Sequence, residues 1–503
     1  MWASITPIFL QVWANCGHGK LARTRARLTA AHCSKCQRIG LFSSLPSMRR
    51  FNQVQRLSRA ISHPAADPKS LERRHIARCS WLKYQAVDVL DCTRIPSPPP
   101  GAGRPLERCL VDIVRGVRAP ASDGLVDIRI DRGRISAITP AESRTTDQAL
   151  LVMPGLVDSH LHLEKAYLLD RMAADASNLA EAIAFTSALK RDFTAGDILT
   201  RARRVLDESL SHGVTHVRCH VEIDDTLGLL AMKTILALKE EYANRVTLNV
   251  VAFPQEGIFV QRTTADLMEE SMRMGADAVG GIPYNDRDVA EHLDFVFELA
   301  ARFDKPLDLH IDLSDDPGQL DVLEVIERTR RLEMEGRVSL GHLTSLGSVP
   351  VDEARRIAAA LAQSRISVIT LPVTDAFLNG RADQQAARRG LTPVRLLLEE
   401  GVNVAVATNN IQNPFTPFGR GNILDVANLL AVLCHLGSAE DASTIFRMLT
   451  SHAASAIGLT SYGLEVGADA DFALYNASSA RDALLQRERP MEVYKRGRLV
   501  AQA

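Results

Sequence analysis

No apolar run in this chain approaches the ~20 residues that cross a bilayer. Cysteine is sparse and lopsided: of eight in 503 residues, only Cys219 and Cys434 lie beyond residue 109. That distribution excludes a disulfide framework. His32-Cys33-Ser34-Lys35-Cys36 could supply half a zinc site, but Cys16 and His18 do not form a second compact pair. An excess of charge of one sign is also missing, with a formal net charge of −1, so nothing draws the chain to nucleic acid or an anionic membrane. No Gly-x-Gly-x-x-Gly turn follows a strand-like run, which argues against a dinucleotide-binding open sheet. What remains is an ordinary globular composition, 46% hydrophobic and 24% charged, and the chain is expected to be soluble.

Acidic residues are scarce at the N-terminus. Up to Ser80 they are limited to Asp67 and Glu72, against a run of basic residues that includes Arg23, Arg25, Arg27, Arg49, Arg50, Arg73 and Arg74. The segment closes on Pro96-Ser97-Pro98-Pro99-Pro100-Gly101, a linker-like composition. Residues 1–105 are therefore expected to form an unstructured basic arm outside the main fold. The same bias resembles an organelle transit peptide, so targeting stays open beside an expected cytoplasmic location.

From Leu106 the pattern turns to short strands. Gly124–Ile130 and Arg132–Ile138 alternate apolar and polar residues around Asp131-Arg132-Gly133, a hairpin signal. The far C-terminus repeats the pattern at Ala470–Tyr475 and Val493–Val500. Neither end alone makes a sheet with a buried face, so residues 106–152 and 462–503 are expected to combine in a small β-sandwich domain. Between them, over 153–461, strand-like runs end at His160, His220, Phe253, Pro283, His310, His342, Leu371 and Ala407. Several are separated by amphipathic helical segments such as Ile198–Ser211 and Leu227–Tyr242. About eight strand–helix units predict an α/β fold, a (β/α)₈ TIM-like barrel whose chemistry lies at the C-terminal strand ends.

Polar residues gather at those ends. His160 and His162 follow Met153-Pro154-Gly155-Leu156-Val157-Asp158-Ser159, and in a strand residues two apart share one side. The remaining ends carry Arg218 and His220, Pro254-Gln255-Glu256, His310 and Asp312, His342, and Thr408-Asn409-Asn410. His160, His162, His310 and His342 together read as a metal site with polar support.

These residues resemble the amidohydrolase superfamily. Pro154-Gly155-Leu156-Val157-Asp158-Ser159-His160-Leu161-His162 matches its signature, and the likeness is strongest to the cytosine deaminase and N-isopropylammelide amidohydrolase branches. Asn249–Gly257, Leu378–Arg381 with Arg388-Arg389-Gly390, and Pro414–Gly419 look like further segments of cytosine deaminase. His162-Leu163-Glu164 also fits the His-x-Glu of nucleic-acid base deaminases, but no Pro-Cys-x-x-Cys follows it.

The resemblance implies one divalent ion, Zn or Fe, on His160, His162 and His310, with Asn409 at the position of the superfamily's aspartate ligand and His342 beside the reacting water. It places Gln255 and Phe415 against the substrate, and Lys165 at a position where the isopropylammelide branch carries lysine. Two departures stand out. Leu313 replaces the cytosine deaminase glutamate that shuttles protons, and Asn409 replaces the aspartate base; an amide cannot serve as a useful general base. Asp312, placed by strand alternation beside His310, is the expected proton carrier. The implied activity is hydrolysis of a C–N bond, not a peptide bond, in a small cyclic amidine or amide, releasing ammonia or an amine. Ring-opening amide hydrolysis and a catalytically silent small-molecule binder are the alternatives. The expected partner is a small heterocycle, with neither nucleic acid nor membrane, and homo-oligomerisation is left open.

Overall fold

The computed structural model describes residues 111–503 except 121, 123, 143–148 and 173. The expected arm and its cysteine-histidine cluster lie outside the described residues. The chain opens with β1 (Ile113–Arg118), β2 (Leu125–Asp131), β3 (Arg134–Pro140) and β4 (Leu151–Pro154). Arg132 and Gly133 both have positive φ, 49° and 79°, as a tight hairpin between β2 and β3 requires. Gly155 then separates β4 from β5.

Eight strands follow: β5 (Leu156–Leu161), β6 (Val214–Glu222), β7 (Thr247–Phe253), β8 (Ala278–Gly281), β9 (Leu307–Ile311), β10 (Val338–His342), β11 (Ser367–Thr370) and β12 (Val404–Val406). They pair in parallel in sequence order. Parallel strands are covered on both faces, which is why nearly all their residues are buried. Helices make the crossovers. In Ala195–Ser211 the buried residues Ile198, Ala202, Val205, Leu206 and Ser209 fall on one face at helical spacing, and that face packs on the barrel. The ring closes where the Asn409 amide donates to the His160 carbonyl at 2.8 Å and the His162 amide donates to the Asn409 carbonyl at 3.0 Å. The fold is a (β/α)₈ barrel.

The chain's end adds β13 (Phe472–Tyr475), β14 (Glu492–Lys495) and β15 (Arg498–Gln502). They join β1–β4 in a seven-stranded sheet of order β15-β14-β13-β4-β1-β2-β3. Its own core includes Ile128, Ile135, Val152, Phe472 and Tyr494, with the last two rings stacked at 4.8 Å. Where this sheet meets the barrel, buried Lys495 donates to Asp471 at 2.6 Å, and His216 Nε2 lies 3.3 Å from the same carboxylate.

Gly155 is the tightest point of that junction. A Cβ there would meet Thr215 Oγ1 at 2.1 Å, well inside contact distance. Gly155→Ala should therefore lower the unfolding free energy by about 1–3 kcal/mol through overpacking, read as a shift in the urea midpoint. An unchanged midpoint would show that Thr215 yields freely.

Candidate active site

Strand ends deliver the histidines. His160 is in β5, His162 directly follows it, and His310 is in β9; all three are buried. His310 Nε2 lies 3.2 Å from His160 Nε2 and 3.3 Å from His162 Nε2. Stacking fixes the rings: His310 lies on Phe253 at 4.1 Å and His160 on His220 at 3.9 Å. Burial, followed by the mutual repulsion of neighbouring cationic forms, holds all three imidazoles well below the ordinary histidine pKa. They are neutral, the form a metal requires.

One nitrogen facing two others cannot satisfy both with its single proton or lone pair. The Nδ1 atoms of all three rings, and Asn409 Oδ1, are buried without a hydrogen-bond partner. Neutral nitrogens converging within 4.8 Å beside an orphaned carbonyl oxygen fit a divalent cation. His160, His220 and Asp308 also converge. Asp308 is engaged there already, by Arg218 at 2.8 Å and His220 Nε2 at 3.0 Å, which suits it to orienting the rings.

A small cavity adjoins the cluster, lined by His162, Lys165, Gln255, His310, His342, Asn409 and Phe415 among the residues singled out from sequence. Leu179, Tyr284, Leu313, Thr374 and Asn410 complete its wall. Its free space is about 10 Å³, room for about one water. No carboxylate lines it among the described residues; the acids stand one layer back.

Two of those acids matter most. Asp375, in the helix Pro372–Leu378 after β11, takes His342 Nδ1 at 2.6 Å. Burial raises its carboxyl above the usual range, while the imidazole opposes that rise. Bonding Nδ1 leaves Nε2 as the ring nitrogen of His342 available to the cavity. Glu222, at the end of β6, accepts from Lys165 at 2.7 Å and pairs with Lys190 at 2.8 Å. Burial alone would raise Glu222, but those two ammonium groups outweigh it and hold its pKa low. Lys165 also donates to Gln255 Oε1 at 3.0 Å and sits 4.4 Å above the Phe415 ring. Sequence reading found neither Asp375 nor the Glu222–Lys190 pair. Positions near strand ends could have signalled Asp375 and Glu222, whereas Lys190 closes the helix Leu179–Lys190 and carried no such signal.

Asp312 requires a correction. Strand β9 ends at Ile311, and Asp312 has φ 53°, so the two-residue alternation stops before it. Its carboxylate turns away to the helix Val322–Arg331, accepting from the Asp321 amide at 2.9 Å and the Val322 amide at 3.2 Å. Leu313 faces the cavity instead. Burial, aided by Asp321, pushes the Asp312 carboxyl up to about 8. By contrast, His342 and Asn409 hold positive φ, 75° and 64°, with side chains on the cavity. Such backbone is uncommon outside glycine and concentrates at functional sites.

As a helix cap, Asp312 should matter for stability. Asp312→Ala should cost about 1–2 kcal/mol of unfolding free energy and leave metal content at the wild-type level. Loss of metal with unchanged stability would return Asp312 to the reacting centre.

A sequence profile of the amidohydrolase family matches residues 176–501. N-isopropylammelide isopropyl amidohydrolase of Pseudomonas sp. (strain ADP) is 27% identical over 401 residues, 77% of this chain and 96% of that protein. Pterin deaminase of Rhizobium rhizogenes (strain K84 / ATCC BAA-868) is 27% identical over 418 residues, 80% of this chain and 95% of that protein. The crystal structure of 5-methylcytosine deaminase from Klebsiella pneumoniae with 5-fluorocytosine superposes with a TM-score of 0.74 at 30% identity, covering 78% of this chain and 97% of that one. The profile runs through most of the barrel and into the last strand, and the chain belongs to the amidohydrolase family.

Proposed function

We propose that this amidohydrolase removes an exocyclic amine from a small pyrimidine- or triazine-like ring by hydrolysis. The observation that carries the reading is the convergence of neutral, buried His160, His162 and His310 beside a cavity lined by Lys165, Gln255 and His342. The relatives named above, which carry the names of deaminases and an amidohydrolase of ring compounds, support it. His160, His162 and His310, with the Asn409 carbonyl, would hold one divalent cation, and imidazole suits zinc or iron. When bound, that cation supplies Lewis acidity that brings a water's pKa towards about 7.

The chain's own residues do the rest. Lys165 and Gln255 orient the ring from one side, and Phe415 packs beside Lys165. Leu179, Tyr284 and Leu313 exclude bulk water. Because the free space holds about one water, a ring enters only as this apolar roof yields. The roof belongs to a cluster of its own, apart from the barrel core, so it can shift without unpacking the strands.

Hydrolysis joins water oxygen to the ring carbon, leaves one water proton on the neighbouring ring nitrogen, breaks the bond to the exocyclic nitrogen, and moves the other water proton to that nitrogen. Asn409 and Leu313 cannot carry it. His342 Nε2 can, since Asp375 on Nδ1 fixes the tautomer and stabilises the imidazolium formed in passing. The leaving group departs as ammonia or an amine, and the ring keeps a carbonyl.

Purified protein supplied with zinc or ferrous iron should release ammonia or an amine from at least one member of an aminopyrimidine, pterin and aminotriazine panel. Ring opening without amine release would move the reading to cyclic-amide hydrolysis, and binding without turnover to a silent binder. Asp375→Asn should lower turnover by roughly 10²–10⁴-fold with metal content unchanged. Wild-type turnover in that variant would remove His342 and Asp375 from the proton path.

A further inference from the structure

Gln255 has two ends that differ chemically, a carbonyl that accepts and an amide nitrogen that donates. Which end faces a ligand decides which ring edge the cavity accepts. Here the choice is made by a neighbour: Lys165 Nζ donates to Gln255 Oε1 at 3.0 Å, so the carbonyl is taken from behind. Rotating the amide would set NH₂ against an ammonium group, donor against donor, and the orientation is thereby locked. The amide nitrogen, with no hydrogen bond to protein recorded among the described residues, is the end left for the cavity.

Lys165 is fixed in turn. Glu222 takes one of its protons at 2.7 Å, and Gln255 a second. The third lies on the side of the Phe415 ring, which also lines the cavity. Glu222 is held on its other oxygen by Lys190, which itself pairs with Asp224 at 2.6 Å and Glu256 at 2.8 Å. Lys165, Lys190, Glu222 and Asp224 are fully or almost fully buried, so water does not loosen the chain of contacts. None of these carboxylates lines the cavity, so the Lys165–Gln255 side of its wall offers two donors.

We propose that Lys165 fixes the Gln255 amide so that the cavity selects a ring edge made only of acceptors, a ring oxygen beside an unprotonated ring nitrogen. A deprotonated cyclic imide, –CO–N⁻–CO–, fits this pair best, because its nitrogen and both its oxygens accept, and the Lys165 ammonium reaches it at the shortest range while Glu222 holds that ammonium in place. A protonated imide N–H would oppose the Gln255 amide, and an N-alkyl group would collide with it. The inference rests on the cavity being the ring-binding site. Within that reading, Lys165 is a specificity-determining residue that acts partly through Gln255.

The test is calorimetric binding of 6-azauracil, a cyclic imide with no exocyclic amine to release, and of its N3-methyl derivative, to the full chain as isolated. Affinity for 6-azauracil should rise with pH across the ring's own ionisation, while the N3-methyl ring should bind roughly tenfold or more weakly at every pH. Lys165→Met should weaken 6-azauracil binding by roughly 10–100-fold and flatten its pH dependence, because the freed amide can turn its carbonyl to an imide N–H. Gln255→Glu is nearly isosteric and tests the point should the lysine variant not fold: it places a carboxylate oxygen where the amide donated, and should abolish the preference for the anion. Absence of 6-azauracil binding, equal affinity for the N3-methyl ring, or a full pH rise retained in either folded variant would overturn the proposal. Binding requires no turnover, so the outcome is separable from that of the amine-release assay.

Discussion

Desolvation of three imidazoles is the constraint on which the rest of this site depends. His160, His162 and His310 are buried where a charged ring would be costly, and each would repel the others if protonated. Neutrality at this crowding leaves the His310 Nε2 facing two other ring nitrogens at 3.2 and 3.3 Å, and one proton or lone pair cannot serve both. A metal cation would resolve it. The barrel makes the crowding possible, since parallel strands are rigid, fully covered, and all end at the same rim.

Behind the cavity, charge is arranged in pairs. Asp375 stands behind His342, Asp308 behind His220, and Glu222 behind Lys165. Buried pairs of this kind are weak sources of stability, because the desolvation of both ions offsets much of their attraction. Their value lies in orientation: Asp375 and Glu222 fix groups that line the cavity, and Asp308 fixes His220, which stacks on His160. The result is a cavity whose wall carries imidazole, amide, hydroxyl and ammonium groups but no carboxylate among the described residues.

Much of this was legible in the sequence, for a physical reason. Period-two alternation holds inside a strand, so His160 with His162, and the positions of His310 and His342, could be placed without coordinates. Asp312 shows where the rule ends. One residue past β9 the backbone turns left-handed, and a side chain expected beside His310 caps a helix instead. Asp375 was illegible for a different reason. It lies 33 residues from His342, on a helix whose start after β11 gives no signal of where its side chains point. The hairpin at Arg132-Gly133 and the packing face of Ala195–Ser211 were readable, because turn chemistry and helical period are local. The closure of the barrel at Asn409 depends on contacts about 250 residues apart in sequence and had to be seen.

The measurement that bears most directly on the central claim is X-ray absorption at the metal edge, combined with metal content, on the purified chain. The account predicts about one divalent ion per chain whose nearest shell contains imidazole nitrogens from three histidines, the remaining ligands being oxygen. A chain that takes up no stoichiometric metal, or whose metal carries fewer imidazoles or a sulfur ligand, would contradict it.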